Sequence, residues 1–161
     1  MRWSYECTRA DTIKQWLALT HKSFDHGRRG FNDRLAFLGK RILDLQTSLA
    51  LLNSPAAPVP STAGGRDVFA HPALEGVENM TPFAKTATLD RTRLAKVAQS
   101  YGVDRVVRWK PRKSDNLESS GIETVLAHTV YSIIGALALQ RGGEVAARAA
   151  RERVLQPLGL R

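Results

Sequence analysis

Asn32-Asp33-Arg34-Leu35-Ala36-Phe37-Leu38-Gly39-Lys40-Arg41-Ile42-Leu43 reads as the first half of an amphipathic helix. Asn32 is a good N-cap residue. Asp33 falls in the first turn, where a carboxylate favours the helix dipole and can pair with Arg34 or a neighbouring Lys. Beyond it Leu35, Leu38, Ile42, Leu45, Leu49 and Leu52 recur at spacings of 3, 4, 3, 4 and 3, the repeat of a buried stripe. The expectation is a helix over residues 32–52 with those six side chains in the core. Phe37 breaks the pattern. At roughly 100° per residue it lies about 200° from Leu35, among Arg41, Asp44 and Ser48, so it is either exposed or covered by something outside the stripe.

The flanks read as further helices. Thr12 can cap a first helix whose Ile13, Trp16 and Leu17 follow helical spacing, and Ala18-Leu19-Thr20-His21-Lys22-Ser23-Phe24 leads into a Gly- and Arg-rich loop over residues 25–30. Residues 53–65, with Pro55, Pro58 and Pro60 among small side chains, break the pattern as a flexible insertion. Helical patterning returns with Leu94, Val97, Ala98 and Tyr101, stopped by Gly102. A long helix is expected over residues 121–140, with Leu126, Val130, Ile133 and Leu137 on one face. After Gly142-Gly143, a last helix begins at Glu144 and carries Val145, Ala149, Val154 and Leu155. No repeat is visible, and the whole is expected to be one all-α domain over residues 1–161.

At 161 residues and 43% hydrophobic content the chain can bury a real core. Lys and Arg number 24 against 15 Asp and Glu, a formal charge of +9, which favours polyanionic partners. Aromatics at 7% do not advertise a base-stacking platform. Cys7 is the single cysteine, so an intrachain disulfide and a Cys-based zinc or iron–sulfur site are excluded. No membrane span is expected, because the longest apolar stretch, residues 130–139, is short and interrupted by Tyr131, Ser132 and Gly135. Residues 1–12 carry Arg2, Glu6, Arg9 and Asp11, unlike a secretory signal.

The stretch from Asn32 to Leu43 resembles the signature helix of the ribonuclease III family, N-E-R-L-E-F-L-G-D-S-V-L. Residues 18–24 are similar to that family's A-L-T-H-x-S-[YF] segment, and Ala127-His128-Thr129-Val130-Tyr131-Ser132-Ile133-Ile134-Gly135-Ala136 to its A-D-x-x-E-A-x-x-G-A segment. The helix ending at Gly102 resembles L-x-x-x-A-x-x-x-G-[LV], and Glu75-Gly76 is the nearest match to a further family acid. The resemblance implies the all-α ribonuclease III-like endonuclease-domain fold. The family's double-stranded-RNA-binding domain has no counterpart in the chain as it stands.

The same resemblance implies that four metal-binding acids are replaced, by Ala36, Lys40, His128 and Tyr131. Ala36 and Lys40 stand four apart, His128 and Tyr131 three apart, so each pair shares one helix face. Magnesium takes oxygen ligands in octahedral geometry; Ala has none, Lys is a cation, and neutral His and Tyr are poor substitutes. Four carboxylates would carry −4, whereas these four residues carry about +1 with His neutral. No catalytic residue, metal or cofactor is therefore expected. His128 is expected to be packed or RNA-facing, and Tyr131 to fill the cleft. In the family, the Phe37 position packs into a partner subunit, which would account for the aromatic outside the stripe.

Three basic clusters are candidates for RNA contact: Arg28-Arg29, Lys40-Arg41, and Arg105, Arg108, Lys110, Arg112 and Lys113, interleaved with Trp109 and Pro111. Trp109 can stack on a base or tuck into the core. Arg148, Arg151 and Arg153 read as a solvated face. Degraded acids and basic charge make the chain most similar to the silent ribonuclease III-like proteins of the fungal mitochondrial large ribosomal subunit. That implies a structural, rRNA-binding role in the mitochondrial matrix beside other mitochondrial ribosomal proteins and a second ribonuclease III-like subunit, with any presequence removed or outside this numbering. The alternatives are a double-stranded-RNA endoribonuclease active only with a catalytically intact partner, and a free RNA-binding pseudoenzyme.

Overall fold

The computed structural model describes residues 9–55, 71–113 and 115–160. Most of the Pro-rich stretch, and Cys7, lie outside these. Six helices carry the described residues: α1 (Arg9–Ala18), α2 (Asp33–Leu52), α3 (Pro82–Thr88), α4 (Arg91–Ser100), α5 (Ile122–Arg141) and α6 (Gly143–Ala149), the last running into a π-helical turn at Ala150–Leu155. Among the described residues there is no strand, only an isolated parallel bridge between Thr20 and Arg108. The fold is all-α.

α5 is the central post. Ile122, Val125, Leu126, Ala127, Thr129, Val130, Ser132, Ile134, Gly135 and Ala136 are buried, nearly all round its circumference, the pattern of a helix enclosed by others. It packs against α1, α2, α4 and α6. Leu43, Leu94, Leu126 and Leu155 are fully buried and join α2, α4, α5 and the π turn into one core. α5 is long and apolar enough to cross a membrane by length and composition, but over half of it is buried inside the fold. It is a core helix.

The α2–α5 crossing overturns the expected stripe. The buried residues of α2 are Leu35, Ala36, Gly39, Leu43, Gln46, Thr47, Ala50 and Leu51. Leu38, Ile42 and Leu52 are half-buried, while Leu45 and Leu49 are 57% and 43% exposed. The reason is closeness of approach. A Cβ on Gly39 would run into the Tyr131 carbonyl, and one on Gly135 into the Leu35 carbonyl, so the backbones touch at a glycine pair, and the face of α2 that carries Gly39 is the one turned to α5. The same geometry corrects α5, where Ile134 is buried and Ile133 is 37% exposed.

Three smaller corrections concern the ends. α1 starts at Arg9, so Thr12 lies within it rather than capping it, and Ile13 is 59% exposed. Asn32 stands at the N-cap position of α2 but its side chain does not cap. It is fully buried, and its Nδ2 donates to the Ala18 carbonyl at 3.1 Å and to Ser132 Oγ at 3.4 Å, tying α1, α2 and α5 together. The last helix gives way to the π turn, where Arg153 offers its carbonyl to the Tyr101 hydroxyl at 3.1 Å and Arg151 donates to Gln46 at 2.7 Å. Val145 on the last helix is 40% exposed, while Val154 and Leu155 are buried.

Candidate functional site

The first turn of α2 faces the middle of α5. There the Asp33 carboxylate accepts from His128 Nε2 at 3.0 Å, not from Arg34 or a neighbouring Lys as the sequence suggested. The His21 ring stands edge-on to the His128 ring, with centroids 5.8 Å apart. His21 Nδ1 in turn accepts the Ser23 backbone N–H at 3.2 Å and lies 3.0 Å from its hydroxyl. Burial, then the neighbouring His128 and Lys22, push the His21 imidazole below its ordinary value against the pull of Asp33. A neutral ring agrees with an Nδ1 lone pair engaged by an amide.

Ala36, one turn beyond Asp33, is buried, and Lys40, one turn further, is exposed. Tyr131 is half-buried; its hydroxyl is pushed up to about 12, by burial first and then by Asp44, so it stays a neutral phenol. Asp44 also lies 4.0 Å from Lys85 of α3. Among the described residues no three or more His, Cys, Asp or Glu side chains are grouped so as to hold a metal ion.

A second constellation lies on the loops before α2 and α5. Arg108 is clipped to the chain ahead of α2 from both sides: its N–H donates to the Leu19 carbonyl at 2.8 Å and its carbonyl accepts from the His21 N–H at 2.9 Å. Its guanidinium sits 5.2 Å from the Trp16 ring. Trp109 is half-buried, with part of its ring packed against the main core. Lys110 donates its N–H to Ser23 Oγ at 3.0 Å, and its ammonium lies 3.3 Å from His26 Nε2. Arg112 and Lys113 follow, exposed, with the Lys113 backbone tied to Ser120.

The opposing loop turns through Asp25 (φ 50°), His26 (φ 53°) and Gly27 (φ 72°), a run of left-handed residues. Two of these carry a Cβ, at a cost of about 1–2 kcal/mol each. The turn is held by the Asp25 carboxylate, 3.3 Å from the Arg29 guanidinium, and by the Arg28 N–H donating to the Asp25 carbonyl. Tertiary structure thus brings together the Arg28-Arg29 cluster and the Arg108–Lys113 cluster, which are some eighty residues apart in sequence. Arg105 is exposed on the short turn Val103–Arg105 ahead of the run. Lys40-Arg41 is a different case, because the Arg41 guanidinium lies 5.1 Å over the Phe37 ring.

Phe37 is 64% exposed. Sequence reasoning missed an apolar row in the connection to α3: Leu74, Val77, Met80 and Phe83, exposed by 43–82%. Four apolar residues within ten positions were the available signal. Glu75 is exposed, whereas Gly76 is buried with a left-handed φ of 87° against the Leu52 carbonyl.

The described fold is similar to the nuclease domain of ribonuclease III from Campylobacter jejuni, in a structure concerned with flexibility in the region involved in dimer formation: TM-score 0.67, 23% identity, 95% of this chain and 92% of that one. A second structure of that domain superposes with a TM-score of 0.64 at 24% identity, over 92% and 87% of the two chains. In sequence, the chain is 44% identical over 146 residues to the large ribosomal subunit protein mL57 of Neurospora crassa, spanning 90% of this chain and 55% of that protein. It is 30% identical over 127 residues to ribonuclease 3 of Thermobifida fusca, spanning 78% and 45%. The chain therefore spans about half the length of these curated relatives. The Ribonuclease-III-like family model matches residues 12–158, and the chain belongs to that family.

Proposed function

We propose that this chain is a non-catalytic ribonuclease III-like scaffold of the mitochondrial large ribosomal subunit, binding ribosomal RNA through its basic loops and pairing with a second ribonuclease III-like subunit through α2. The observation that carries the reading is the Asp33–His128 pair. Where the family resemblance places metal-binding acids, Ala36 contributes no donor, Lys40 brings a cation, His128 is engaged by the Asp33 carboxylate, and Tyr131 is a neutral phenol. This donor set does not fit magnesium, which needs several hard oxygen ligands and is repelled by an ammonium. Phosphodiester hydrolysis through a metal is accordingly not assigned to the chain. The 44% identity to mL57 supports the ribosomal placement, with neighbouring mitochondrial ribosomal proteins as further partners, and the net charge of +9 supports a phosphate-rich one.

The test is to sediment a mitochondrial lysate through a salt-washed sucrose gradient. Stoichiometric migration of this chain with the large ribosomal subunit is expected; migration only as a small free complex would sink the scaffold reading. The second reading, an endoribonuclease active only with a catalytically intact partner, draws on Phe37, which is 64% exposed and suited to a subunit interface. Magnesium-dependent cleavage of duplex RNA that needs both subunits and the partner's acids would favour it.

A further inference from the structure

The left-handed turn and the Lys110 segment meet between the loops before α2 and α5. The segment is mounted rigidly: Arg108 is clipped by two backbone bonds, Trp109 is packed on the core, and the Lys110 amide is held by Ser23. Opposite it, the strained turn places His26 Nε2 against the Lys110 ammonium at 3.3 Å. Both side chains are exposed, and the nearest carboxylate, Asp25, is turned to Arg29 instead. Arg28 follows two residues on, also exposed. Strain of this kind persists where surrounding contacts hold it, and it concentrates at ligand clamps.

Resting on the RNA reading above, we propose that His26 and Lys110, with Arg28 as the flanking cation, form a seat for a single phosphodiester group of the RNA backbone. Lys110 has two ammonium protons left after its contact with His26, and the imidazole can turn its own N–H to an anionic oxygen. Phosphate oxygens carry no base identity, so the seat positions RNA without selecting sequence. The backbone bonds of Arg108 and Lys110 mean little main-chain ordering is left to be lost on binding.

The experiment measures binding of the full chain to a fluorescent mixed-sequence RNA duplex across a potassium chloride series, with Lys110→Gln, His26→Asn and the double variant. Asn is chosen because it tolerates the left-handed conformation, and circular dichroism checks that each variant folds. Arg148→Gln, on α6, is the control for loss of one charge. Each seat variant is expected to weaken binding about five- to tenfold, with Lys110→Gln lowering the salt slope by about 1, and the double variant is expected to be little worse than either single one. Seat variants that match Arg148→Gln, or single effects that simply multiply in the double variant, overturn the seat while leaving the RNA reading intact. A wild-type chain that binds no RNA overturns both.

Discussion

Asp33 and His128 meet across the contact between α2 and α5. A hydrogen-bonded carboxylate–imidazole pair bridges α2 and α5, with side chains 39% and 31% exposed, so solvent screening keeps its contribution to about 1 kcal/mol or less. His21 carries the clearer pH signature. Its pKa is depressed in the folded chain, so the unfolded chain binds the proton more readily. The stabilisation is complete above the unfolded value of about 6.5 and is lost as pH falls through the lower folded value. Chemical denaturation between pH 7.5 and 5 should therefore show stability falling with pH, and His21→Gln should flatten that slope. Equal slopes for both proteins would remove the assigned role of His21.

At the scale of elements, the α2–α5 crossing is the most sensitive point of the fold. Gly135→Ala would push a methyl group into the Leu35 carbonyl, which helix backbones can accommodate only by moving apart. The expected loss is about 3 kcal/mol, seen as a drop of roughly 5–10 °C in the thermal midpoint; unchanged melting would mean the helices are not so close. The opposite face of α2 carries Phe37 under Arg41, with Leu45 and Leu49 exposed further along. Phe37→Asp should leave helical content unchanged by circular dichroism and weaken subunit pairing about 30-fold or more in analytical ultracentrifugation. Pairing of unaltered strength would take the interface away from this face.

For the whole molecule, the excess of positive charge is organised by tertiary contacts. Arg108 and Lys110 are fastened to the chain between α1 and α2, which gathers cations from two distant loops on one surface. Reversing Lys110, Arg112 and Lys113 to Glu should weaken RNA association by at least tenfold and reduce the slope of log affinity against log salt by about 2–3. RNA binding that survives the reversal would put the contact surface elsewhere, with Arg91, Arg93 and Lys96 of α4 the next set to reverse.

Sequence alone determined that α2 would run over residues 32–52 and α5 over 121–140, within a residue of what forms, because period and terminators such as Gly142 are local properties. It also determined the family, since the motif residues keep their spacing. Which face of α2 is buried was decided only by the tertiary structure. The sequence reading assigned the core to the leucine stripe, whereas the crossing at Gly39 and Gly135 turns the face with Leu35, Ala36, Gly39 and Leu43 inward and leaves Leu45 outside. The pairing of Asp33 with His128 and the meeting of His26 with Lys110 were likewise invisible, and the sequence left Trp109 open between stacking and packing. Each joins residues 80 to 100 positions apart, or a loop to a distant core, and no local periodicity encodes such a meeting.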